Sequence, residues 1–481
     1  MRVHASWSII TFDFGVIIGD IFACIFEPTF FGSFMWLILS LIILVVAIIM
    51  SNIPALILAF LAGIIIVMNR AAPSFISKDY YRNLIGKTVT ISGEIIKDPE
   101  DNGEGKKNLT IRSTKEYKGQ IFTQVSNIDI KRSDKITISG ELSEGFSNFD
   151  AVIFRPEIQN VDRPEPGDIF LKIRDFFAGG IKDYLPDKQA SLGLGYLLGQ
   201  KSGVDKSFQE SLRTVGLTHI IVASGAHLGV LVGIARKIFG KFSRFSSLLS
   251  GLIFMFLFIG ITGLSASMLR AGLVTGLSLI AWYYGRNVQP ARIIFLVAAI
   301  TLIINPAYLT DLAWLLSFAS FFGILIVAPI LIKFFYNQTK KPGFIASTFI
   351  SSISAALLCT PILLYFFGSV SLISVIANIL ILPTISIAMG LTFLTGLFAI
   401  FIPILANFIG QLDLLLLNYQ ISVVEFFGDK KMFLIEIPAE NPLVFLLYIP
   451  VIVVIITTLI KQINKIKKHR KLQNSIKPML A

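Results

Sequence analysis

The side chains best suited to chemistry lie within one apolar stretch near the middle of the chain. His219, Ser224 and His227 are separated by five and three residues, and Gly225 follows the serine. On an α-helix the two histidines would lie about 80° apart, so both can face one cavity. Ser224 and His227 can also meet as nucleophile and base. No acid near in sequence orients the histidine, and no Gly-x-Ser-x-Gly elbow is present, so hydrolysis is the weaker hypothesis. Two histidines that bridge neighbouring helices are the structural alternative.

Further polar residues stand out against apolar surroundings. Arg270 lies near an apparent helix start, a position suited to phosphate, although a helix-bridging or snorkelling arginine fits as well. Asn305, with Pro306 and Asp311, indicates a short turn between membrane spans.

Two prolines fall within otherwise apolar segments. Thr360 precedes Pro361, and Asn378 lies shortly before Pro383. We expect these pairs to interrupt their helices, as happens along transport paths, or to produce plain proline kinks.

The composition that surrounds these residues is that of a membrane protein. Over 481 residues the apolar fraction is 54% and the charged fraction is 15%, with a mean hydropathy of +0.76. A soluble surface of this size needs more charge. Apolar segments recur along the chain, and about 20 such residues cross a bilayer core. We expect Asp13 and Asp20, in the first segment, to lie at the membrane interface.

The distribution of apolar, alternating and basic segments divides the chain into four regions. Residues 1–70 contain three apolar segments, at about 7–26, 32–50 and 52–69. Residues 78–160 show short alternating runs at Thr88–Ile95, Leu109–Ile111, Ile128–Ile130 and Lys135–Leu142, which predict strands. Residues 166–460 begin with an amphipathic segment, predicted to lie at the interface, and return to seven or eight apolar segments. Residues 461–481 form a basic tail.

The β-rich region is long enough for a small OB-like barrel. The predicted fold is therefore an α-helical polytopic membrane protein of about ten or eleven spans with a small inserted all-β OB-like domain. OB barrels often bind single-stranded nucleic acid through basic grooves and stacked aromatic rings. Here aromatic residues are sparse and charge is nearly balanced, so a structural or docking role remains equally open.

The charge distribution predicts the orientation. A basic tail favours the cytoplasmic side and contact with anionic membrane lipid. Three spans that start inside would place the β domain outside the cell. Cys24 and Cys359 lie far apart in apolar segments, and the histidines do not form a metal-ligand pattern, so neither a metal nor another cofactor is expected.

The ordered motifs resemble the ComEC family of competence channels. The string Gly216 to Gly229 is similar to the family's G-L-x-H-L-x-x-x-S-G-x-H-x-G, and Leu197–Asp205 is similar to L-L-G-D-R-S-G-L-D. Thr262–Ala271 matches T-G-x-S-x-S-x-x-R-A, and Asn305–Asp311 matches N-P-x-x-L-x-D. Pro361 to Ser371 follows a looser P-x-x-x-x-x-F-G-x-x-S.

The resemblance implies an inner-membrane channel that conducts single-stranded DNA into the cytoplasm during natural transformation, without enzymatic activity of its own. It further implies a separate DNA receptor, nuclease and cytoplasmic helicase or ATPase as partners. The residues that would line the DNA path or form its structural core are His219, Ser224, Gly225, His227, Arg270, Asn305, Asp311, Ser317, Thr360 and Asn378. The alternatives are a transporter of a small anionic solute and an intramembrane hydrolase built on Ser224 and His227.

The chain departs from the family pattern at several points. Gln200-Lys201 replaces Asp-Arg, and Leu315 stands where the family's F-Q-L-S-F has its amide. No H-x-H-x-D-H metal motif occurs among the four histidines, so we expect this chain to lack the metallo-β-lactamase-like nuclease domain of many relatives. The cysteine pair of some relatives is also missing from the β region.

Overall fold

A computed structural model describes most of the chain. The described residues are 4–50, 52–101, 105–114, 119–126, 128–146, 149–164, 167–200, 203–218, 225–286, 289–336, 342–428, 434–436 and 457. The chain divides into two compact units. The first contains Met1–Lys206, His219–Trp314 and Ser386–Asn418, and the second contains Ser207–Thr218, Leu315–Ile385 and Tyr419–Ala481.

Three helices open the first unit: α1 (Ala5–Phe26), α2 (Phe34–Met50) and α3 (Ile53–Arg82). The predicted segments 7–26 and 32–50 correspond to α1 and α2. The third segment was expected to end at residue 69, but α3 continues through Pro73 to Arg82. Asn52 caps α3 by accepting a hydrogen bond from the Ala55 amide at 3.0 Å.

Seven strands follow α3: β1 (Thr88–Ile95), β2 (Glu100–Asp101), β3 (Lys106–Ser113), β4 (Gln120–Ser126), β5 (Lys135–Glu144), β6 (Ala151–Phe154) and β7 (Glu157–Asp162). Five of them close into a barrel in the order β1-β3-β4-β6-β5, because β5 pairs back onto β1. β4 and β6 pair in parallel and the other barrel pairs are antiparallel. The alternate residues point inward, and Ile95, Ile111, Ile121 and Ile138 are fully buried there.

The barrel confirms the expectation of a small all-β domain, with one correction. Ile128–Ile130 was predicted to be a strand, yet β4 ends at Ser126 and these residues are irregular. Ile130 is buried in the barrel core while Ile128 is exposed. In this loop the apolar residues alternate with a polar one, as they do in a strand, although only Ile130 is buried in the core.

The remaining helices of the first unit begin with α4 (Ile169–Lys182) and α5 (Asp187–Leu198), where one amphipathic segment was predicted. They continue with α7 (Gly225–Phe239), α8 (Arg244–Thr262), α9 (Ala266–Tyr283) and α10 (Pro290–Ile304). α5 is buried continuously from Ala190 to Leu198.

The second unit contains α6 (Lys206–Val215, from Ser207), most of α11 (Leu312–Phe322), α12 (Ala328–Tyr336) and α13 (Phe344–Phe367). A π-helical turn at Gly323–Val327 joins α11 to α12. α14 (Ser374–Phe401) and α15 (Pro403–Gly428) contribute residues to both units. Two short strands, β8 (Ser369–Ser371) and β9 (Leu434–Glu436), pair in the second unit.

Seven helical runs among the described residues are long and apolar enough to cross a bilayer. They are Ser6–Phe26, Ile53–Arg82, Arg244–Thr262, Leu312–Tyr336, Phe344–Phe367, Ser374–Phe401 and Pro403–Gly428, with shorter apolar helices at Phe34–Met50 and Pro290–Ile304. The protein is mostly helical, with these seven candidate membrane spans among the described residues and a small five-stranded barrel. Ten or eleven spans remain a prediction. Residues 437–460, apart from residue 457, and the predicted basic tail at 461–481 lie outside the described residues.

Candidate membrane-embedded polar site

The central motif begins with a glycine that other residues cannot easily replace. Gly216 follows α6 with φ of +76°, a conformation that L-residues with a side chain rarely adopt. A Cβ atom there would also lie 2.7 Å from the Cβ of Ser374. Gly216 therefore has a packing role in the second unit. His219 and Ser224, the next candidates along the motif, lie outside the described residues.

His227 is buried in the first unit, in the first turn of α7. Its exposed fraction is 5%, and its ring centroid lies 6.2 Å from that of Tyr196 on α5. Tyr196 is itself buried and close enough to Asp413 of α15 for an electrostatic interaction. A histidine, a tyrosine and an acid from three helices therefore lie near one another in the interior of the first unit.

Asp413 is the functional candidate that sequence reasoning missed. It is fully buried, and its Oδ2 accepts a hydrogen bond from the Thr392 hydroxyl at 2.7 Å. Its Oδ1 has no hydrogen-bond partner among the described residues. Thr392 in turn packs against Gly193, where a Cβ would lie 2.8 Å from the threonine Oγ1. The available signal was the position of Asp413 within an apolar run of α15, because a charge at membrane depth is costly.

Arg270 lies beside Gly225, the first residue of α7. A Cβ on Gly225 would be 3.4 Å from the Arg270 Nη2 and 3.1 Å from the Ala271 Cβ. Arg270 is 8% exposed and belongs to the second turn of α9. The sequence predicted Arg270 near a helix start, and it lies one turn beyond the start of α9. Ser265 caps that start. His227 and Arg270 are thus both buried in the first unit.

Asn305 and Asp311 form the predicted turn. The Asn305 side chain accepts a hydrogen bond from the Ala307 amide at 3.2 Å, and Asp311 accepts one from the Trp314 amide at 2.9 Å. Trp314 also donates its indole N–H to the Thr301 hydroxyl at 2.9 Å. The bonds accepted by Asn305 and Asp311 satisfy backbone amides at helix ends, so both residues have a clear structural role.

Ser317, Thr360 and Asn378 belong to the second unit. Pro361 and Pro383 were expected either to interrupt or to kink their helices. α13 and α14 are continuous through both prolines, so the helices are not interrupted there. The Thr360 hydroxyl donates to the Ala356 carbonyl oxygen at 2.7 Å within α13. The Asn378 Oδ1 is buried without a hydrogen-bond partner among the described residues. These three residues therefore belong to the second unit, whereas His227 and Arg270 belong to the first.

A buried ion pair fastens the barrel to the helices of the first unit. Arg132, between β4 and β5, pairs with Asp168, the N-cap of α4, at 2.7 Å. The same guanidinium donates to the Gly260 carbonyl oxygen of α8 at 3.1 Å. Desolvation opposes ionisation of Asp168, but the hydrogen bond and charge of Arg132 and the α4 amides outweigh it and lower the pKa of Asp168.

The outer face of the barrel carries an aromatic cluster. The rings of Phe122, Phe146 and Phe149 have centroids 5.3 to 5.4 Å apart. Phe146 is 50% exposed, and Phe154 on β6 is 57% exposed. We refer to Phe122, Phe146 and Phe149 as the aromatic trio. The sequence indicated sparse aromatic residues in this region, and folding concentrates them on one face.

No group of three or more His, Cys, Asp or Glu side chains suited to a metal occurs in the part of the chain that the structure describes.

Comparison with known proteins decides the family. Residues 196–462 match the family described as Competence protein. This range covers more than half of the chain and contains all five motifs. The chain belongs to this competence family.

One curated relative supports the ComEC-type assignment. ComE operon protein 3 of Bacillus subtilis (strain 168) is 30% identical over 241 residues, which are 47% of this chain and 29% of the relative. The match therefore covers less than one third of the relative's length. No solved structure matches significantly.

Proposed function

We propose that this chain is an inner-membrane channel that conducts single-stranded DNA into the cytoplasm during natural transformation. The competence-family match over residues 196–462 carries the proposal. A DNA strand brings one negative charge per nucleotide into a low-dielectric layer, so its path must supply polar and cationic groups. His227 and Arg270 are such groups and lie within the matched range. His219, Ser224, Gly225, Asn305, Asp311, Ser317, Thr360 and Asn378 complete the proposed path and its structural core.

The five-stranded barrel is assigned the role of a DNA-contacting OB-like domain. In chain order its strands are arranged first, second, third, fifth and fourth around the ring, with one parallel pair. This is the arrangement of an OB-type Greek-key barrel, whose second and third strands and the loop before the fifth contact oligonucleotides. The aromatic trio occupies the third strand and that loop. Bases stack on exposed aromatic rings regardless of sequence.

The proposed topology places the β domain (78–160) outside the cell. Residues 1–70 would form the N-terminal membrane helices and residues 166–460 the channel domain, with its first helix at the interface. Residues 461–481 would form a cytoplasmic basic tail that contacts anionic lipid. The proposed partners are single-stranded DNA, membrane lipid, a separate DNA receptor, a nuclease, and a cytoplasmic helicase or ATPase.

Labelled-DNA uptake in a deletion strain tests the proposal. We expect the strain to bind DNA at the cell surface but to accumulate no nuclease-protected label and to yield no transformants. Expression of the full chain should restore both. A His227→Asn chain that reaches the membrane at the normal level should restore neither in full, because the buried imidazole would be lost.

A matched control separates a channel role from loss of structure. Thr395→Val removes a hydroxyl that donates only within its own helix, to the Leu391 carbonyl oxygen, and should complement fully. Normal DNA uptake in the deletion strain would overturn the proposal. If uptake were normal and a small anion failed to accumulate, the transporter alternative would replace it.

A further inference from the structure

Six basic side chains lie at one end of the helices α7 to α10 in the first unit. They belong to the last turn of α7, the turn that follows it, the start of α8, the residues after α9 and the first turn of α10. We refer to them as the basic surface: Arg236, Lys237, Lys241, Arg244, Arg286 and Arg292. All of them are exposed except Arg236, which is partly buried.

Contacts between the helix ends bring these cations together. The Ser246 hydroxyl in the first turn of α8 donates to the Phe239 carbonyl oxygen at the end of α7 at 2.7 Å. The guanidinium carbon of Arg236 lies 4.2 Å from the ring centroid of Trp282 in the last turn of α9, a cation–π contact. α10 begins after a short connection and packs against α9. The four helix ends therefore present their cations on one side of the first unit.

Acidic side chains do not pair with the basic surface in the described part of the chain. The sequence contains no Asp or Glu between Glu210 and Asp311. None of the six basic residues belongs to an ion pair among the described residues. Asp13 and Asp20 were expected at the membrane interface, but each is 1% exposed, so neither presents its carboxyl group there. The basic surface therefore carries a positive charge that an anionic partner can neutralise.

The basic surface lies one bilayer thickness away from the attachment of the barrel. α8 runs from Arg244 to Thr262, and its 19 residues span about 28 Å, close to the thickness of a bilayer core. Gly260, near the far end of α8, accepts the hydrogen bond from Arg132 of the barrel. The barrel and the basic surface therefore lie at opposite ends of one candidate membrane span, and a basic end is typical of the cytoplasmic side.

Exposed aromatic and aliphatic side chains accompany the cations. Phe242, Phe245 and Tyr284 are each more than half exposed. From Phe245 the exposed residues of α8 continue at helical spacing with Leu249 and Ile253, toward the middle of the span. Aromatic rings at the ends of apolar helices are typical of the membrane–water interface. This end of the first unit therefore offers cations to a lipid head group and apolar side chains to its acyl chains.

Single-stranded DNA would also suit cations beside aromatic rings, because its bases stack on them. The exposed stripe of α8 favours lipid instead. It continues from the aromatic residues into the apolar part of the span, where an acyl chain can lie but a charged strand would lose its hydration. One phospholipid molecule can therefore contact both the cations and the stripe.

We propose that the basic surface binds the phosphate head groups of anionic phospholipid in the membrane leaflet opposite the barrel. The planar guanidinium of Arg236 is held on the Trp282 ring, and guanidinium groups bind phosphate oxygens in pairs, whereas the lysines add positive charge. This binding does not rest on the proposed DNA channel.

The fluorescence of Trp282 provides the test, because bromine atoms on acyl chains quench a tryptophan that lies beside them. The full chain is placed in phosphatidylcholine nanodiscs that contain a fraction of brominated phosphatidylglycerol or, in parallel, of brominated phosphatidylcholine. The contribution of Trp282 is the difference between the unmodified chain and Trp282→Phe. We expect phosphatidylglycerol to bind beside Trp282 about tenfold more tightly than phosphatidylcholine, because several cations act together.

Two triple variants with the same change in charge show where the preference originates. The first combines Lys237→Gln, Lys241→Gln and Arg244→Gln, and it should bind the two lipids about equally. The second combines Lys87→Gln, Lys135→Gln and Arg155→Gln, which remove exposed cations of the barrel region, and it should keep the preference. Equal loss of the preference in both variants would overturn the proposal.

The unmodified chain keeps the proposal falsifiable if a variant misfolds. Equal quenching of Trp282 by the two brominated lipids would overturn it. Removal of the preference by inorganic phosphate would assign the site to free phosphate and would overturn it as well. Binding of a single-stranded oligonucleotide is measured in nanodiscs of phosphatidylcholine alone. If oligonucleotide binding falls in the first triple variant while the lipid preference stays, the surface serves DNA and the proposal is wrong.

Discussion

The guanidinium of Arg132 and the carboxylate of Asp168 form an ion pair across a distance of 2.7 Å, with side-chain exposed fractions of 8% and 13%. Arg132 belongs to the barrel, Asp168 begins α4, and the third partner is the Gly260 carbonyl oxygen of α8. One side chain therefore connects the barrel to two helices of the first unit. The Gly263 position of the T-G-x-S motif lies beside it, because a Cβ there would be 2.9 Å from the Arg132 Nη1.

Removal of Arg132 should loosen this attachment. Arg132→Ala leaves the Asp168 carboxylate buried without its cation, and loss of one partner of a buried pair costs about 3–5 kcal/mol. We expect a lower melting temperature of the detergent-solubilised chain and faster proteolysis of the barrel. Arg82→Ala, which removes an exposed arginine from two exposed acids, Glu27 and Asp79, should have a smaller effect. Equal effects of the two variants would contradict the special role of Arg132.

The same pair predicts an acid dependence of stability. The pKa of Asp168 in the folded chain is lowered from its ordinary value of 3.8. A group with a lowered pKa stabilises the fold above its unfolded pKa, and this stabilisation disappears as pH falls through the folded value. The melting temperature should therefore fall below about pH 4, and Asp168→Asn should show a shallower decline over that window. Parallel curves for the two chains would contradict the prediction.

The strands and membrane helices were predicted correctly because they depend on patterns of neighbouring residues. Strands such as Thr88–Ile95 alternate between buried and exposed positions, and the membrane helices are long apolar runs. Of the two expectations for Pro361 and Pro383, interruption of the helix is wrong, because α13 and α14 run through both residues, and a plain proline kink stays a prediction. Each proline removes one amide donor, and the rest of the helix continues in an environment without competing water.

The side-chain partners of Asp168 and Asp413 were not predicted because they lie far away in the sequence. Asp168 and Arg132 are separated by 36 residues, and their pairing follows from the docked barrel. Asp413 comes within electrostatic range of Tyr196, a residue far from it in sequence, only in the folded first unit. A single acid within an apolar segment marks such a residue as a candidate, but its partners require the tertiary structure.

Thr392 should be needed to keep Asp413 in place. Thr392→Val removes the 2.7 Å hydrogen bond to Oδ2 of Asp413. Because Oδ1 already lacks a partner among the described residues, a fully buried carboxyl group is then left without the threonine bond on either oxygen. We expect a loss of about 1–3 kcal/mol in stability and lower DNA uptake, measured by thermal unfolding and by transformation frequency. Thr395→Val is the matched control, because Thr395 is equally buried and donates only to Leu391 in its own helix. If Thr392→Val and Thr395→Val have the same effect, the hydrogen bond from Thr392 to Asp413 has no special role.

The aromatic trio should carry DNA affinity of the barrel. Phe146→Ala removes a half-exposed ring, and base stacking on one aromatic ring is worth about 1–3 kcal/mol. We expect single-stranded DNA to bind the full chain in nanodiscs about tenfold more weakly after this change. Ile128→Ala, at an exposed apolar residue outside the trio, is the control. Unchanged affinity in Phe146→Ala would assign the trio a docking or structural role.

Two glycines of one motif should respond oppositely to alanine. Gly216 has φ of +76°, and its Cβ would meet Ser374 at 2.7 Å. Gly216→Ala should therefore cost at least about 1–2 kcal/mol and lower the melting temperature and the amount of folded protein in the membrane. Gly229 lies within α7 with nothing within 4 Å of an added Cβ. Gly229→Ala should be neutral or stabilising by about 0.5–1 kcal/mol, because alanine loses less entropy in a helix.

Transformation frequency then separates structure from function at Gly229. Full uptake with Gly229→Ala would mean that the last glycine of the motif is dispensable for DNA passage. Lost uptake in a chain that remains folded and in the membrane would mean that the open space beside Gly229 is used by DNA or by a moving helix. A folded Gly216→Ala chain with unchanged stability would instead contradict the packing role of that residue, because neither the backbone conformation nor the Ser374 contact could then be limiting.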